Sequence, residues 1–211
     1  LSDQDQPDIA ARLRALGYTL DAPRRARPGV KSGSYRVICP DGEAFITKLR
    51  AAGLGVRPEG KIRRIPPEYL RASEDQRREL LRGMMDTDGS AARKERSAFY
   101  ATSDEGLRDD AIELCRSLGY KPGVATSQPH FRTKDGERKP GKTSYRIRVS
   151  VSCGAEVFHT TRRVRIIDAQ TQKSRTTQTS RRWVRKIERV PSVPVRCIQV
   201  DSPSHLFLAG R

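Results

Sequence analysis

The sequence predicts an α+β fold made of two related halves, followed by a short all-β piece. Three observations lead to this reading. The chain repeats itself: ARLRALGY, ending at Tyr18, returns as ELCRSLGY, ending at Tyr120, and Ser34-Tyr35-Arg36-Val37 returns as Ser144-Tyr145-Arg146-Ile147. Helix-period and strand-period apolar patterns alternate through both copies. After residues 168–181, which are polar and lack apolar periodicity, the pattern changes to short β runs. The expected organisation is a first half over 1–60, a linker over 61–74, a second half over 75–167, a linker over 168–181 and a small β piece over 182–211. A pseudo-two-fold arrangement is the natural packing for two such copies.

The elements follow in order. Ile9, Leu13 and Leu16 fall at helical spacing, with Asp8 near the start and Gly17 just past the end, so a helix is expected over 5–16. A strand over 18–20, a loop rich in Pro and Arg, a strand over 34–39, a Pro-Asp-Gly turn and a helix over 43–52 complete the first copy. In the linker, Ile65 precedes proline and is biased extended, and Pro66 and Pro67 bar a helix until Glu68. Ser73 with Gln76 three residues on forms a capping box that launches the central helix. That helix runs through Leu80, Leu81, Met84 and Met85 and stops at Gly89. A strand over 97–101, a helix over 105–118, strands over 121–127 and 144–152, and a helix near 155–165 are expected next. The extra length of the second copy falls in the basic loop QPHFRTKDGERKPGK, where an insertion is cheap.

Composition bounds the partners. The 42 Lys+Arg against 25 Asp+Glu give a net charge of +17, which points to a polyanion, and nucleic acid fits better than membrane. No apolar run approaches the roughly 18 to 20 residues needed to span a bilayer, and the start LSDQDQPD is unlike a signal peptide. Cys39, Cys115, Cys153 and Cys197 lack the paired spacing of zinc sites or disulfide frameworks and read as reduced thiols of a cytoplasmic protein. His130 and His159 have no metal-like spacing to one another.

The chemistry concentrates at LLRGMMDTDGS. Asp86 and Asp88 lie in the last turn of the central helix, where the macrodipole disfavours negative charge by a few tenths of a kcal/mol or more. A divalent cation would remove that penalty. Gly83, which costs about 1 kcal/mol inside a helix, is explained if another backbone packs against it. Read without that partner, the stretch is a surface helix with an acidic end.

LLRGMMDTDGS resembles the helix motif that names the LAGLIDADG (DOD-type) homing endonucleases. RIPPEYL ahead of the motif, and TSDEGLRDDAIELCRSLGY after it, resemble the corresponding parts of endonucleases embedded in inteins. The tail VRCIQVDSPSHLFLAGR resembles the carboxy-terminal splicing (Hint) block of phage inteins, particularly those in terminase or helicase hosts. The resemblance implies αββαββα halves whose two motif helices pack at the axis, with Gly83 at the contact. It implies Mg²⁺-dependent, site-specific double-strand cleavage of DNA lacking the insertion. Asp88 takes the position of the metal-binding acid and Asp86 the first, structural acidic place. The family's linker lysine corresponds to Arg63, with Lys61 nearby.

The counterpart of Asp88 in the first copy would fall ahead of Leu1. The chain is therefore expected to be an excerpt that lacks the first motif helix, and by itself to bind DNA better than it cuts. The missing amino-terminal part of the same intein, the host exteins and the intein-less host gene site are the implied partners. Arg146 and Arg148 share one strand face and are expected at DNA, with Arg93, Lys94 and Arg96 on the preceding hairpin and Arg132 and Lys134 in the basic loop. Arg24, Arg25, Arg27, Lys31 and Arg36 are their first-copy counterparts. In the tail, Cys197 takes a position held by a splicing nucleophile in one intein class; otherwise it is a small buried residue on a strand. His205 lies within the block and off the catalytic position, and the terminal His-Asn pair would follow Arg211. Two other readings stand beside this one: a degenerate endonuclease that only binds DNA or supports splicing, and a ribosome-associated RNA-binding protein, which explains the charge but neither the repeat nor the tail.

Overall fold

In the computed structural model, the described residues are 4–21, 36–51, 64–170, 184–194, 196–201, 203 and 207. Lys61, Arg63, Arg24, Arg25, Arg27, Lys31 and His205 lie outside them. The fold of the described residues is mixed α+β, and its centre is the helix that the capping box predicts. Ser73 Oγ accepts from the Gln76 amide at 3.3 Å, and the Gln76 side chain accepts from the Ser73 amide at 3.2 Å. Two otherwise orphaned donors are satisfied, and helix α4 runs Glu74–Asp88. We number the helices α1 (Gln6–Ala15), α2 (Phe45–Ala51), α3 (Pro67–Leu70), α4, α5 (Glu105–Ser117) and α6 (Thr161–Asp168). The strands are β1 (Thr19–Leu20), β2 (Val37–Ile38), β3 (Gly89–Ala91), β4 (Ser97–Thr102), β5 (Gly123–Ser127), β6 (His130–Arg132), β7 (Arg138–Pro140) and β8 (Ser144–Ser150).

The chain passes from α4 into β3 without a loop, which only glycine permits at residue 89. A Cβ there would stand 2.4 Å from the carbonyl oxygen of Met85. The antiparallel sheet that follows has the order β3-β4-β8-β5. Period-two alternation sends Ala98, Tyr100, Tyr145, Ile147 and Val149 to one face, where they are buried with Leu81 and Met85 of α4 and Ala111, Leu114 and Cys115 of α5. Burial pushes the Cys115 thiol up to about 12. Asp104 starts α5 by accepting from the Gly106 and Leu107 amides. The linker docks by Ile65 and Leu70, and Arg64 grips the fully buried Asp110 of α5 with three contacts of 2.6 to 3.0 Å.

The expected strands and helices of the second half are present, together with three short strands that were not expected, β3 and, in the basic loop, β6 and β7, and one expected helix is displaced. Instead of a helix near 155–165, a short 3₁₀ turn spans Gly154–Glu156 and α6 begins only at Thr161. Val157 and Phe158 enter the core between them, and Gly154 comes so close to α6 that a Cβ would sit 2.5 Å from Val164 Cα. A continuous helix could not make that approach. Among the described residues of the tail, none lies in a strand. Cys197 is exposed there, so the reading of it as a small buried strand residue does not hold.

Candidate functional site at the end of the motif helix

Asp86 and Asp88, two residues apart, have opposite environments. Asp86 is 1% exposed and accepts from the His159 amide at 3.0 Å, the Thr160 amide at 3.2 Å and Thr160 Oγ1 at 2.9 Å. Arg163, itself buried, donates to the Met85 carbonyl in the same turn. The unfavourable placement of an acid at a helix carboxyl end is thus offset at Asp86 by hydrogen bonds and a guanidinium, not by a cation from solution. Asp88, on the last residue of α4, is exposed.

Gly83 is exposed on the same helix, and a Cβ built on it meets nothing within 4 Å. The close backbone expected at Gly83 is absent among the described residues. Leu80 and Met84 are only partly buried. Glu79 bridges outward: it pairs with Arg12 of α1, with Arg82 at 2.7 Å and with His159 Nε2 at 3.0 Å. Burial holds His159 below the ordinary imidazole range, against the pull of Glu79.

The sheet face turned away from the helices carries the arginines. Arg146 and Arg148 alternate with the buried Tyr145, Ile147 and Val149, and both are exposed. Arg146 stacks 3.8 Å from the centroid of Phe99, its diagonal neighbour on the adjacent strand, which presents a planar cation on a flat apolar base. Arg148 pairs with Glu95 and donates to Ser97 Oγ at 3.2 Å. Beyond the sheet, the β5–β8 hairpin continues into β6 and β7, joined by a bond from the Gly141 amide to the Pro129 carbonyl at 2.7 Å. Arg132 and Lys134 lie on this projecting hairpin with Arg138 and Lys139, and its strands are exposed throughout. A two-stranded ribbon of this kind fits a major groove.

Arg36, at the repeat position of Arg146, is exposed beside β2; Arg93 and Lys94 are exposed in the β3–β4 turn. Arg96 behaves differently. Its donors go to the carbonyls of Gln170 at 3.1 Å and Ser152 at 2.8 Å, so it braces the chain after β8 instead of facing outward with Arg146. Sequence reasoning missed Asp5, Thr160 and Arg163, whose partners lie far away in the chain. No three His, Cys, Asp or Glu side chains converge as a metal cluster among the described residues. The exposed Asp88 carboxylate is a hard oxygen donor suited to Mg²⁺, which keeps several waters and needs few protein ligands. No described helix is long and apolar enough to cross a membrane.

Residues 75–174 match the LAGLIDADG-like domain. That match covers just under half of the chain and makes residues 75–174 similar to LAGLIDADG-like domains. The α4 motif and the sheet after it lie inside it. The chain is also similar to a protein named replicative DNA helicase DnaB from Mycobacterium intracellulare, at 35% identity over 147 residues. The match takes in 70% of this chain and 24% of that protein, so the chain spans about a quarter of the length of the curated relative it matches.

Proposed function

We propose that this chain is the DNA-recognising and cutting part of a cytoplasmic, intein-encoded homing endonuclease. The observation that carries the reading is the split between the two acids of the LAGLIDADG motif. Asp86 is consumed by folding, while Asp88 is left exposed at the helix end, next to a sheet with a basic outer face. Asp88 would hold Mg²⁺, which when bound supplies charge stabilisation at the scissile phosphate and a more acidic water for in-line hydrolysis. Arg146, Arg148, Arg36, Arg93 and Lys94, with Arg132 and Lys134 on the projecting hairpin, neutralise phosphates and read base edges. Lys61 and Arg63 supply cationic charge from the linker.

Gly83 and the half-open face of α4 suit a second motif helix, from the amino-terminal part of the same intein, which would bring the second acid. Without it the chain binds DNA better than it cuts. The similarity to part of a helicase-named protein suits an element inserted in a larger host, and the tail with Cys197 suits the start of the splicing strands that join the exteins.

The test is cleavage by the full-length polypeptide on host-gene DNA without the insertion. Mg²⁺-dependent double-strand breaks are expected, abolished by chelator and by Asp88→Asn, with DNA affinity largely kept in that variant. Undiminished cutting by Asp88→Asn would remove Asp88 from the site. The second reading, a degenerate endonuclease that binds DNA or supports splicing, is favoured by the single acidic ligand among the described residues. It predicts specific binding of the correct site with no cutting.

A further inference from the structure

The segment from His159 to Arg163 has no role in the reading above, yet four of its donors converge on the last turn of α4. Three go to Asp86, and the fourth, from the Arg163 guanidinium, goes to the Met85 carbonyl. That carbonyl also accepts the amide of Gly89, the residue immediately after Asp88. Arg163 therefore touches the hydrogen bond that closes the helix around Asp88.

Arg163 is 8% exposed, and its guanidinium lies 5.5 Å from the Phe158 ring. A cation so placed needs a carboxylate partner. It finds one in the first half of the chain: Asp5, at the start of α1, is fully buried 3.5 Å from Arg163 Nη2. The same carboxylate takes two bonds from Arg162, at 2.9 and 2.7 Å. Asp8 then accepts the Thr161 amide at 2.6 Å, so α1 is seated on the amino end of α6.

We propose that Arg163, held by Asp5, is a positioning residue for Asp88, so that helix α1 sets the geometry of the motif helix end. This rests on the reading of Asp88 as a metal-binding carboxylate. Losing the Asp5 charge would leave two guanidiniums without their buried partner and loosen the grip on Met85. Asp88 would then move relative to the phosphate while the DNA-binding face stays as it is.

The test uses the full-length polypeptide with Asp5→Asn, Arg163→Met and Arg163→Lys. Single-turnover cleavage at saturating protein should fall roughly 10- to 100-fold in Asp5→Asn and Arg163→Met, the scale of loss from a misplacement of about an ångström. DNA affinity measured in Ca²⁺ should change less than about threefold, the half-saturating Mn²⁺ concentration should rise, and Arg163→Lys should recover part of the rate. A readout without turnover is sensitised Tb³⁺ luminescence of the DNA complex, whose apparent Tb³⁺ affinity should weaken in Arg163→Met as it does in Asp88→Asn. Variants that melt at lower temperature but cut and bind Tb³⁺ like the wild type overturn the proposal, leaving Arg163 a structural brace. If Arg163→Met does not fold, wild-type rates in Asp5→Asn and Arg163→Lys overturn it equally. A wild type that binds its site and cuts with no cation removes the Asp88 reading and this inference together. A wild type that cuts beside unaffected variants removes the inference alone.

Discussion

The two copies of the internal repeat fold alike at their turns and differ in what they bury. In the first, the Gly17 amide bonds the Arg14 carbonyl at 2.9 Å and the Tyr18 amide bonds the Leu13 carbonyl at 3.0 Å. In the second, Gly119 bonds Arg116 and Tyr120 bonds Cys115, both at 3.0 Å, and Gly17 and Gly119 have the same φ of 84°. Both copies also pair the following strand antiparallel, Leu20 with Val37 and Val124 with Ile147, the repeat partner of Val37, although the repeat aligns Leu20 with Pro122, two residues earlier. Burial departs from this symmetry. Helix α1 has no buried residue, whereas α5 buries Ala111, Leu114 and Cys115. At the position of Leu114 the first copy has Arg12, which pairs with Glu79 instead of filling a core. A repeat can thus write the same caps and turns twice. A core requires neighbours, and here α4 and β4 supply them to the second copy.

The largest expected effect concerns DNA. Affinity for duplex should fall about 10³- to 10⁵-fold between 50 and 200 mM salt if roughly six to ten phosphates are neutralised. Arg36→Ala and Arg146→Ala, at matching repeat positions, should each lower the salt slope by about 1. An unchanged slope in Arg36→Ala would confine DNA contact at that position to the second copy. For stability, Leu114→Ala should cost about 2 to 5 kcal/mol by urea unfolding. Arg12→Ala at the corresponding site should cost less than about 1 kcal/mol, as an exposed pair allows. Equal costs would contradict the difference in burial.

The two motif glycines should respond with opposite signs. Gly89→Ala, with its Cβ against Met85, should destabilise by about 1 to 3 kcal/mol. Gly83→Ala should stabilise the chain by up to about 1 kcal/mol in the same assay. The smallest effect belongs to His159, whose folded pKa is lowered by burial from 6.5. As pH falls below about 6.5 the unfolded chain takes up this proton first, so stability contributed at neutral pH declines until the folded value is passed. His159→Gln should flatten the thermal midpoint over that window and leave it unchanged above about pH 7.5.

Local chemistry was legible in the sequence. The Ser73 capping box, the helix end at Gly17 and the strand alternation that puts Arg146 and Arg148 on one face all depend on residues a few positions apart. What was not legible depends on residues far apart. Arg96 reads as one more surface cation until Gln170 and Ser152 come round to meet it. Arg163 reads as part of a basic helix until Asp5 and the end of α4 enclose it. Nothing in the spacing of HTTRRVRIID marks its second arginine as buried beside an aromatic ring, and the start of α6 shifted because Phe158 chose the core.

Residues two positions apart on an α-helix stand about 200° apart around its axis, so Asp86 and Asp88 face nearly opposite ways. This separates their fates under mutation. A lineage that no longer needs to cut can lose Asp88 and keep a chain that folds, persists and accumulates further change. Loss of Asp86 strands the amides and hydroxyl it binds and removes the protein at once. Descendants of such a chain should therefore include many with the first acid and without the second, and few with the reverse.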